Sequence, residues 1–306
     1  MMQLVQIATE SRRPLRPDWL KVRIPGGDNY YDLKRLMRGL GLHTVCESAR
    51  CPNIGECWGH RTATFMILGE LCTRRCGFCA VPKGLPGGEV DGEEPERVAR
   101  AAQQMGLKYI VVTSVDRDDR KDGGAPIFAL TIEALRRRIP GCRVEVLIPD
   151  FRGSDEALET VLGARPDVLS HNIETVPRLY PVARRGSHYQ RSLRLLARSR
   201  DLASSTPTKS GLMVGLGETF REISAVLADL KAAGTGLVTI GQYLRPSGEQ
   251  LPVARFYSPP EFAALKQEGI RLGLRHVESG PLVRSSYHAH EQAETYCQAA
   301  RAGIGP

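Results

Sequence analysis

The residues of this 306-residue chain best suited to metal chemistry are its cysteines, because six of the eight lie close together. Their two groups have the spacings Cys46-x4-Cys51-x5-Cys57 and Cys72-x3-Cys76-x2-Cys79. Neither is the paired C-x2-C of structural zinc sites or the C-x2-C-x2-C-x3-C-P of bacterial ferredoxins. Three thiolates leave one iron of a cubane cluster without a ligand from the group. Such an open iron indicates catalysis rather than electron storage.

The second cysteine group directly follows an apolar, β-branched run, Thr64–Leu68, that is typical of a buried strand. An aromatic residue, Phe78, precedes its last cysteine. This arrangement resembles the signature of the radical S-adenosylmethionine superfamily. The resemblance implies a 4Fe-4S cluster on Cys72, Cys76 and Cys79 whose open iron is chelated by S-adenosylmethionine. It also implies that one-electron reduction releases a 5′-deoxyadenosyl radical, which takes hydrogen from an unactivated carbon.

Short apolar runs and stretches of helical periodicity alternate along the rest of the chain. Strands are predicted at Thr64–Leu68, Tyr109–Thr113, Val144–Ile148, Val168–Ile173, Ser210–Val214 and Leu237–Gly241. Helices are predicted at Asp32–Leu42, Glu94–Met105, Pro126–Arg138, Asp155–Leu162, Tyr189–Leu202, Glu218–Ala233 and Pro260–Leu272. Six βα units in succession imply parallel strands in a closed or open barrel or a doubly wound sheet. We favour an α/β fold that is a partial (β/α)6, TIM-like barrel of the radical S-adenosylmethionine type, extended at both ends.

Polar side chains lie at or just after the carboxyl ends of three predicted strands. They occupy Thr113–Asp119, His171–Glu174 and Gly215–Glu218. In barrels this end of the strands carries the chemistry. Asn172 and Glu174 are two residues apart near the end of a buried strand, so they are expected to point the same way. The alternative is that acidic residues here are helix N-caps, as for Glu218 and Asp155.

The composition is that of an ordinary globular protein, with 42% hydrophobic and 25% charged residues. It excludes disordered, collagen-like and coiled-coil chains. No apolar stretch approaches the roughly 18 residues that cross a bilayer, and the N-terminus has no hydrophobic leader. We therefore expect a cytoplasmic protein without membrane contact, where reducing conditions favour metal binding over disulfides. The formal charge of +8 predicts an acidic partner.

Further stretches of the chain, taken with both cysteine groups, resemble the lipoyl synthase family. They are Pro17–Lys21, Thr113–Asp119, His171–Tyr180, Lys209–Glu218 and Arg284–His288. The resemblance implies insertion of sulfur at C6 and C8 of an octanoyl chain that a lysine of a carrier protein holds as an amide. Two hydrogen abstractions imply two molecules of S-adenosylmethionine. The implied organisation is an N-terminal extension with the auxiliary-cluster cysteines, a barrel, and a C-terminal helix and tail, at residues 1–61, 62–258 and 259–306.

The same resemblance assigns a second, auxiliary 4Fe-4S cluster to Cys46, Cys51 and Cys57, and makes it the sulfur source. Its fourth ligand in the family is a serine of the C-terminal Arg-Ser-Ser-Tyr motif. This serine maps onto Ser286, with Ser285 as the alternative. An oxygen ligand matches iron less well than a thiolate does, so this bond is expected to be the weakest in the site.

For S-adenosylmethionine, the family places polar groups from strand ends around the cofactor. The positions of this chain that match those groups, or are expected to lie near the cofactor, are Phe78, Thr113, Ser114, Asn172 and Glu174. Three cationic side chains are candidates for contacts with the cofactor carboxylate, the substrate or a cluster. The alternative is that they have structural roles. These cations are Arg184, Lys209 and Arg284.

The implied partners are octanoylated lipoyl-carrier domains, which are the E2 domains of 2-oxoacid dehydrogenases and the glycine cleavage H protein. The resemblance also implies a reductant such as flavodoxin or ferredoxin, and an iron–sulfur carrier for cluster repair. It implies no nucleic-acid partner. We expect a basic surface near the barrel mouth to dock an acidic carrier domain. Arg185 stands where proline is frequent in the family, and Gln250 where histidine is common. The loops that meet the carrier therefore depart from the family pattern.

Three alternatives stay open at this point. A zinc knuckle would complete the second cysteine group with His60 or His43. An enzyme of the biotin synthase or methylthiotransferase type would share the radical chemistry but not the first cysteine group or the C-terminal motif. A basic nucleic-acid-binding module would interleave cations with aromatic residues, which make up only 6% of the chain. Outside these groups we expect a buried strand residue at Cys142, a free tail thiol at Cys297, and exposed side chains at His288 and His290.

Overall fold

The structure is a computed structural model that describes residues 16–87 and 90–301, the last five as backbone alone. Its centre is an eight-stranded sheet of β1 (His43–Thr44), β2 (Thr64–Ile67), β3 (Tyr109–Ser114), β4 (Arg143–Leu147), β5 (Val168–Ser170), β6 (Thr208–Val214), β7 (Leu237–Gln242) and β8 (His276–Gly280). The strands lie side by side in chain order. Every neighbouring pair is parallel except β1 and β2. Within the described residues nothing pairs β1 with β8, so the sheet stays open.

The α-helices of the described residues are α1 (Asp28–Gly39), α2 (Val45–Ser48), α3 (Ile54–Gly59), α4 (Glu94–Met105), α5 (Ala125–Arg138), α6 (Asp155–Gly163), α7 (Tyr180–Ala183), α8 (Tyr189–Leu202), α9 (Phe220–Ala232), α10 (Pro259–Arg271) and α11 (Ala289–Arg301). A helix follows each strand from β2 to β7, in the order α4, α5, α6, α8, α9 and α10. None of the described helices combines the length and the apolar composition needed to cross a bilayer.

The six predicted strands and seven predicted helices are all present, and the partial α/β barrel is confirmed. The sequence pattern did not predict two further strands. The strand β1 has only two residues, and β8 has a single fully buried side chain, that of Val277. Neither therefore contains the apolar run that marks the other strands. Because β8 pairs with β7 in parallel, it extends the predicted six-stranded parallel array by one strand.

The predicted start of α9 and the helix-cap alternative for two acidic residues are wrong. The N-cap of α9 is Thr219, whose hydroxyl accepts the N–H of Glu222 while that carboxylate accepts the N–H of Thr219. Glu218 instead accepts two backbone N–H groups of its own loop. Asp155 is the first residue of α6, and the cap is Ser154. Both helices therefore begin with a hydroxyl cap.

The apolar core lies between the sheet and the outer helices. Fully buried strand residues of this core are Phe65, Ile67, Ile110, Val112, Val144, Val146, Val214, Val238 and Ile240. Each such side chain contributes about 1.5–3 kcal/mol through burial. Because strand side chains alternate between faces, the intervening ones point into the partial barrel. The interior of the partial barrel can therefore hold polar side chains.

A buried ion pair crosses the barrel interior between β4 and β6, which are not neighbours in the sheet. Lys209 Nζ lies 3.0 Å from Oε1 and 3.3 Å from Oε2 of Glu145, and both side chains are 1% exposed. Tyr109 donates its hydroxyl to the same carboxylate at 2.7 Å. Two charges removed from water are tolerated only when they are paired and hydrogen-bonded. These three side chains therefore tie β3, β4 and β6 together.

Replacement of Glu145 by Gln should lower the free energy of unfolding by about 3–5 kcal/mol, because it leaves the Lys209 ammonium buried without a counter-charge. Urea denaturation of the full chain measures the loss. The double variant Glu145→Gln, Lys209→Met removes both charges and should recover at least half of it. A double variant as unstable as Glu145→Gln alone contradicts this account.

Candidate active site

The loop that carries the second cysteine group follows β2 and is held against the loops after β3 and β4. Thr73 Oγ1 accepts the N–H of Asp118 and donates to the carbonyl of Asp116, both at 3.0 Å. The Arg74 guanidinium is 3% exposed and forms ion pairs with both of these aspartates and with Asp150. Charge-assisted pairs of this kind are the stronger hydrogen bonds in a protein interior. They fix the loop before any ligand binds.

The other end of this loop is fixed by Gly77. Its N–H donates to the carbonyl of Ala183 at 2.9 Å, and its carbonyl accepts the N–H of Leu251 at 2.9 Å. A Cβ at this position would lie 2.7 Å from the carbonyl oxygen of Val182. Only glycine therefore allows the cysteine loop to pack so closely against α7.

A cavity of about 310 Å³, the barrel cavity, opens at the carboxyl ends of the strands. It brings together most of the residues predicted for the cofactor and its cluster: Cys72, Cys76, Cys79, Phe78, Thr113, Ser114, Asn172, Glu174 and Arg184. Lys209, also predicted there, does not line this cavity, since it is engaged with Glu145 deeper in the barrel. The family resemblance alone could not show that Lys209 lies away from the cavity, because its position follows from the ion pair with Glu145.

Burial makes the three thiols of the barrel cavity weak acids. Burial raises the pKa of Cys72 to about 11 and that of Cys76 to about 12, and it also raises the pKa of Cys79. Such thiols keep their protons until a metal displaces them. The backbone N–H of Asp116 donates to Cys72 Sγ at 3.4 Å. A donor of this kind stabilises a metal-bound thiolate.

Asn172 and Glu174 form a strained polar pair on the barrel cavity. Asn172 Nδ2 donates to Glu174 Oε1 at 3.0 Å, and Glu174 has a φ of 67°, in the left-handed region. Among the described residues, the buried Oδ1 of Asn172 and Oγ of Ser114 have no hydrogen-bond partner. Buried polar atoms are rarely left unpaired. The two unpaired oxygens lie on the same cavity as the three thiols. They fit a ligand that carries both polar and metal-chelating atoms, as S-adenosylmethionine does.

A second cavity of about 390 Å³, the N-terminal cavity, is lined by the other cysteine group, Cys46, Cys51 and Cys57. Burial raises the pKa of Cys46 and of Cys57 to about 12. Ser286 lines this cavity as well. Ser285 lines only the barrel cavity. The donor set of three thiols and one hydroxyl on this cavity therefore fits a second cluster.

The two cavities have a common wall. Cys51, Arg284 and Ser286 line both of them. The Arg284 guanidinium donates to the carbonyl of Val283 at 2.6 Å, and within the described residues it forms no ion pair with a carboxylate. A cation without a fixed counter-ion thus stands between the two sets of thiols.

The C-terminal tail reaches this wall through contacts with the N-terminal extension. Asn53 Nδ2 donates to the carbonyl of Leu282 at 2.7 Å, and Tyr287 donates its hydroxyl to Glu56 Oε1 at 2.9 Å. A Cβ at Gly241 would lie 2.0 Å from the carbonyl oxygen of Val283. Glycine in β7 therefore permits the tail to lie directly on the sheet.

The histidines of the zinc-knuckle alternative lie elsewhere. His60 lines the N-terminal cavity, and His43 lines a separate cavity beside Gly69 and Glu70. In the described parts of the chain, no three His, Cys, Asp or Glu side chains converge on a point that could hold one metal ion. A four-iron cluster takes one ligand for each iron, so its ligands lie around the whole cluster and do not converge on a single metal ion.

Several functional residues were missed by the sequence analysis. Arg74, Gly77 and Asn53 act through contacts with segments that are distant in sequence, so no local pattern predicts their roles. Asp116 belongs to a recognised polar stretch, and its backbone contact with a cysteine sulfur appears only in the fold.

The remaining sequence expectations concern surface and bystander residues. Cys142 is buried as expected, although it lies one residue before β4 rather than in it. His288 and His290 are exposed as expected, yet both line the N-terminal cavity. The side chain of Cys297 lies outside the described residues. Arg185 is exposed and Gln250 is buried, its Oε1 accepting from Ser247 at 2.7 Å.

Comparison with known proteins agrees with this architecture. The radical SAM superfamily profile matches residues 66–230, and that of the N-terminal domain of lipoyl synthase matches residues 3–51. A lipoyl synthase of Koribacter versatilis is 58% identical over 294 residues, which cover 96% of each chain. One of Rubrobacter xylanophilus is 60% identical over 285 residues, covering 93% of this chain and 88% of the relative.

Solved structures show the same fold at low sequence identity. Methylornithine synthase superposes with a TM-score of 0.52 at 14% identity and 84% coverage of both chains. SuiB of Streptococcus suis, bound to the precursor peptide SuiA, gives a TM-score of 0.53 at 10% identity, covering 90% of this chain and 58% of that one. The fold and the cysteine-lined barrel cavity define a radical S-adenosylmethionine enzyme. Within that superfamily the chain belongs to the lipoyl synthase family. Membership implies S-adenosylmethionine and two 4Fe-4S clusters as cofactors.

Replacement of Gly211 by Ala should weaken binding of S-adenosylmethionine about tenfold, because the added Cβ would lie 2.6 Å from Asn172 Oδ1 and displace that amide. Equilibrium binding to the cluster-loaded protein measures the change. Gly163→Ala at the end of α6 is the matched control, since a Cβ there meets nothing within 4 Å. Equal affinity of the two variants contradicts the placement of Asn172 on the cofactor.

Proposed function

We propose that the protein converts the octanoyl group of a lipoyl-carrier domain into a lipoyl group, by inserting sulfur at C6 and C8. The observation that carries this proposal is the common wall of the two cavities. The tail residue Ser286 lines both cavities, so a sulfur-donor cluster held in the N-terminal cavity would lie directly beside the barrel cavity. A substrate carbon in that cavity would have the cofactor on one side and the source of sulfur on the other.

The proposed holders of the first cluster are Cys72, Cys76 and Cys79. Asn172, Glu174, Thr113 and Ser114 are proposed to orient the polar groups of S-adenosylmethionine, with Phe78 against its adenine and Arg184 toward its carboxylate. Arg184 is suited to this role because it donates to the hydroxyls of Tyr180 and Ser192, at 3.1 and 2.9 Å, and within the described residues it forms no ion pair, although the Glu174 carboxylate is near enough to interact with its charge. Its charge is therefore available to an anion.

The reaction needs a radical because alkyl C–H bonds are far too weakly acidic for a side-chain base. Bound S-adenosylmethionine and its reduced cluster supply a carbon radical that removes such hydrogens. The chain contributes position and the exclusion of water. Met66, Leu147 and Met213 line the barrel cavity and offer an apolar surface to an octanoyl chain. Their burial of the chain also protects reactive species from solvent.

The proposed holders of the auxiliary cluster are Cys46, Cys51, Cys57 and Ser286. An oxygen ligand binds iron less well than a thiolate, so Ser286 is suited to release its iron when sulfur is withdrawn. Tyr287, held by Glu56, keeps this serine in place until then.

The reaction is tested by anaerobic incubation of the cluster-loaded protein with S-adenosylmethionine, dithionite and an octanoyl-lysyl peptide. We expect the peptide to gain two sulfur atoms and, as the cyclic disulfide, to lose two hydrogens. A peptide of unchanged mass alongside full cleavage of S-adenosylmethionine contradicts the proposed function.

The choice between the two serines has its own test. Ser286→Ala should lower the iron retained after desalting from about eight per chain towards about four, and abolish sulfur insertion. Ser285→Ala should retain the iron and stay within about twofold of the parent protein. Iron assay and Mössbauer spectroscopy of both variants measure the outcome. The reverse pattern assigns the ligand to Ser285 and contradicts our assignment.

We propose that the carrier domain docks at the mouth of the barrel cavity. Exposed Arg50 and Lys83 lie there. The carriers we propose are the E2 domains of 2-oxoacid dehydrogenases and the glycine cleavage H protein. Complementary charge raises the association rate and makes binding sensitive to salt.

Arg50→Glu with Lys83→Glu should weaken binding of an octanoylated H protein about tenfold at low ionic strength and flatten its salt dependence. Surface plasmon resonance at rising salt concentrations measures both effects. Parent binding that is insensitive to salt, or a variant that binds as tightly as the parent, contradicts this docking site.

We also propose a cytoplasmic location, because six clustered thiols need a reducing compartment. Flavodoxin or ferredoxin is the proposed reductant, and an iron–sulfur carrier is proposed to rebuild the auxiliary cluster. The division into an extension (1–61), a barrel (62–258) and a tail (259–306) is proposed as one catalytic domain with two appendages. The hydrogen bonds from Asn53 and Glu56 to the tail support this organisation.

A further inference from the structure

The outer side of the second cysteine group carries a cluster of arginines, here called the outer arginine patch. Its members are Arg75, Arg152, Arg185, Arg191 and Arg194. Arg191 is half-buried and the other four are exposed. Arg75 belongs to the cysteine loop itself, Arg152 follows β4, and the other three lie just before or within α8.

The buried Arg74 brings these segments together. Its Nη1 donates to Ser187 Oγ at 3.1 Å, beside Arg185. Arg152 donates to a backbone carbonyl of the loop after β3, at 3.3 Å, and that loop also holds Arg74. Arg191 lies 3.4 Å from Asp150, the buried partner of Arg74. The patch is therefore built on the contacts that fix the cysteine loop.

The charge of the patch is largely uncompensated. Within the described residues, Arg75, Arg152 and Arg185 form no ion pair, while Arg194 shares Asp155 with a neighbouring arginine. A groove of about 320 Å³ between α6 and α8 is lined by Arg152, Arg191 and Arg194, and by Asp155 as their one acidic neighbour there. Several like charges around a concave surface focus the field and attract an acidic protein.

Two buried side chains lie between Arg191 of the patch and the barrel cavity. Arg74, which lines that cavity, is 3% exposed, and its partner Asp150 is fully buried. We therefore expect a carrier domain docked here to deliver its acyl chain poorly. An electron needs no opening, only proximity. Arg75 lies in the loop between Cys72 and Cys76, so a protein that touches it comes close to the cluster ligands.

We propose that the outer arginine patch docks an acidic one-electron carrier protein, which reduces the iron–sulfur centre held by Cys72, Cys76 and Cys79. The inference rests on the proposed function, since it requires a reducible centre in that loop. Each encounter oxidises the donor by one electron and reduces the centre by one electron, and no atom is transferred. The segment of Arg185, which the sequence analysis assigned to the carrier domain, then meets the reductant instead. The two partners use different faces, so both can be bound at once.

The test compares two sources of electrons in the double variant Arg152→Glu, Arg185→Glu. Arg75 is left unchanged because it lies next to the ligand Cys76. With reduced flavodoxin at low ionic strength, formation of 5′-deoxyadenosine should be at least about tenfold slower than in the parent protein. With dithionite the two rates should agree within about twofold. The matched control is Arg100→Glu, Arg221→Glu, which makes the same charge change at exposed, unpaired arginines of α4 and α9.

A second readout is the affinity of flavodoxin for the full chain. It should fall about tenfold in the patch variant and stay unchanged in the control variant, and octanoylated H protein should bind both equally well. A flavodoxin-driven rate equal to that of the parent overturns the inference, as does an equal loss with both electron sources. Loss of H protein binding instead of flavodoxin binding assigns the patch to the substrate carrier and also overturns it. Failure of the parent to cleave S-adenosylmethionine with dithionite contradicts the proposed function itself.

Discussion

The structure depends on one constraint, which is that the C-terminal tail must cross from β8 to the N-terminal extension. Two hydrogen bonds, from Asn53 to Leu282 and from Tyr287 to Glu56, hold it there. Because of this crossing, Ser286 lines the same cavity as three cysteines that lie more than two hundred residues earlier in the chain. The same crossing gives the two cavities their common wall at Cys51 and Arg284. Two groups of three cysteines thereby lie in adjacent cavities.

The second requirement is that the cysteine loop be rigid before the cofactor binds. Arg74 satisfies it by forming ion pairs with three aspartates from two different loops, and Gly77 by close packing against α7. Preorganised ligands cost less to order on binding than flexible ones. The strain at Glu174 and the orphan Asn172 Oδ1 are consistent with a site whose contacts are completed by its ligand.

The sequence was informative where chemistry or periodicity is local. Cysteine spacing identified the two groups of thiols that line the cavities, and apolar runs identified six of the eight strands, because each depends on neighbours in the chain. It failed where a role depends on a distant partner. Nothing near Lys209 indicates its ion pair with Glu145, which keeps this cation away from the barrel cavity. Likewise, the need for glycine at position 211 follows only from Asn172, which belongs to the neighbouring strand connection.

The most direct measurement of the central claim follows the origin of the inserted sulfur. The protein is loaded with iron and ³⁴S-labelled sulfide, desalted, and allowed to react anaerobically with S-adenosylmethionine, dithionite and the octanoyl-lysyl peptide. If the N-terminal cavity holds the sulfur source beside the substrate, the chain forms at most about one product, and both of its sulfur atoms carry the label. Product with unlabelled sulfur, or repeated turnover without any added sulfur source, would contradict the account.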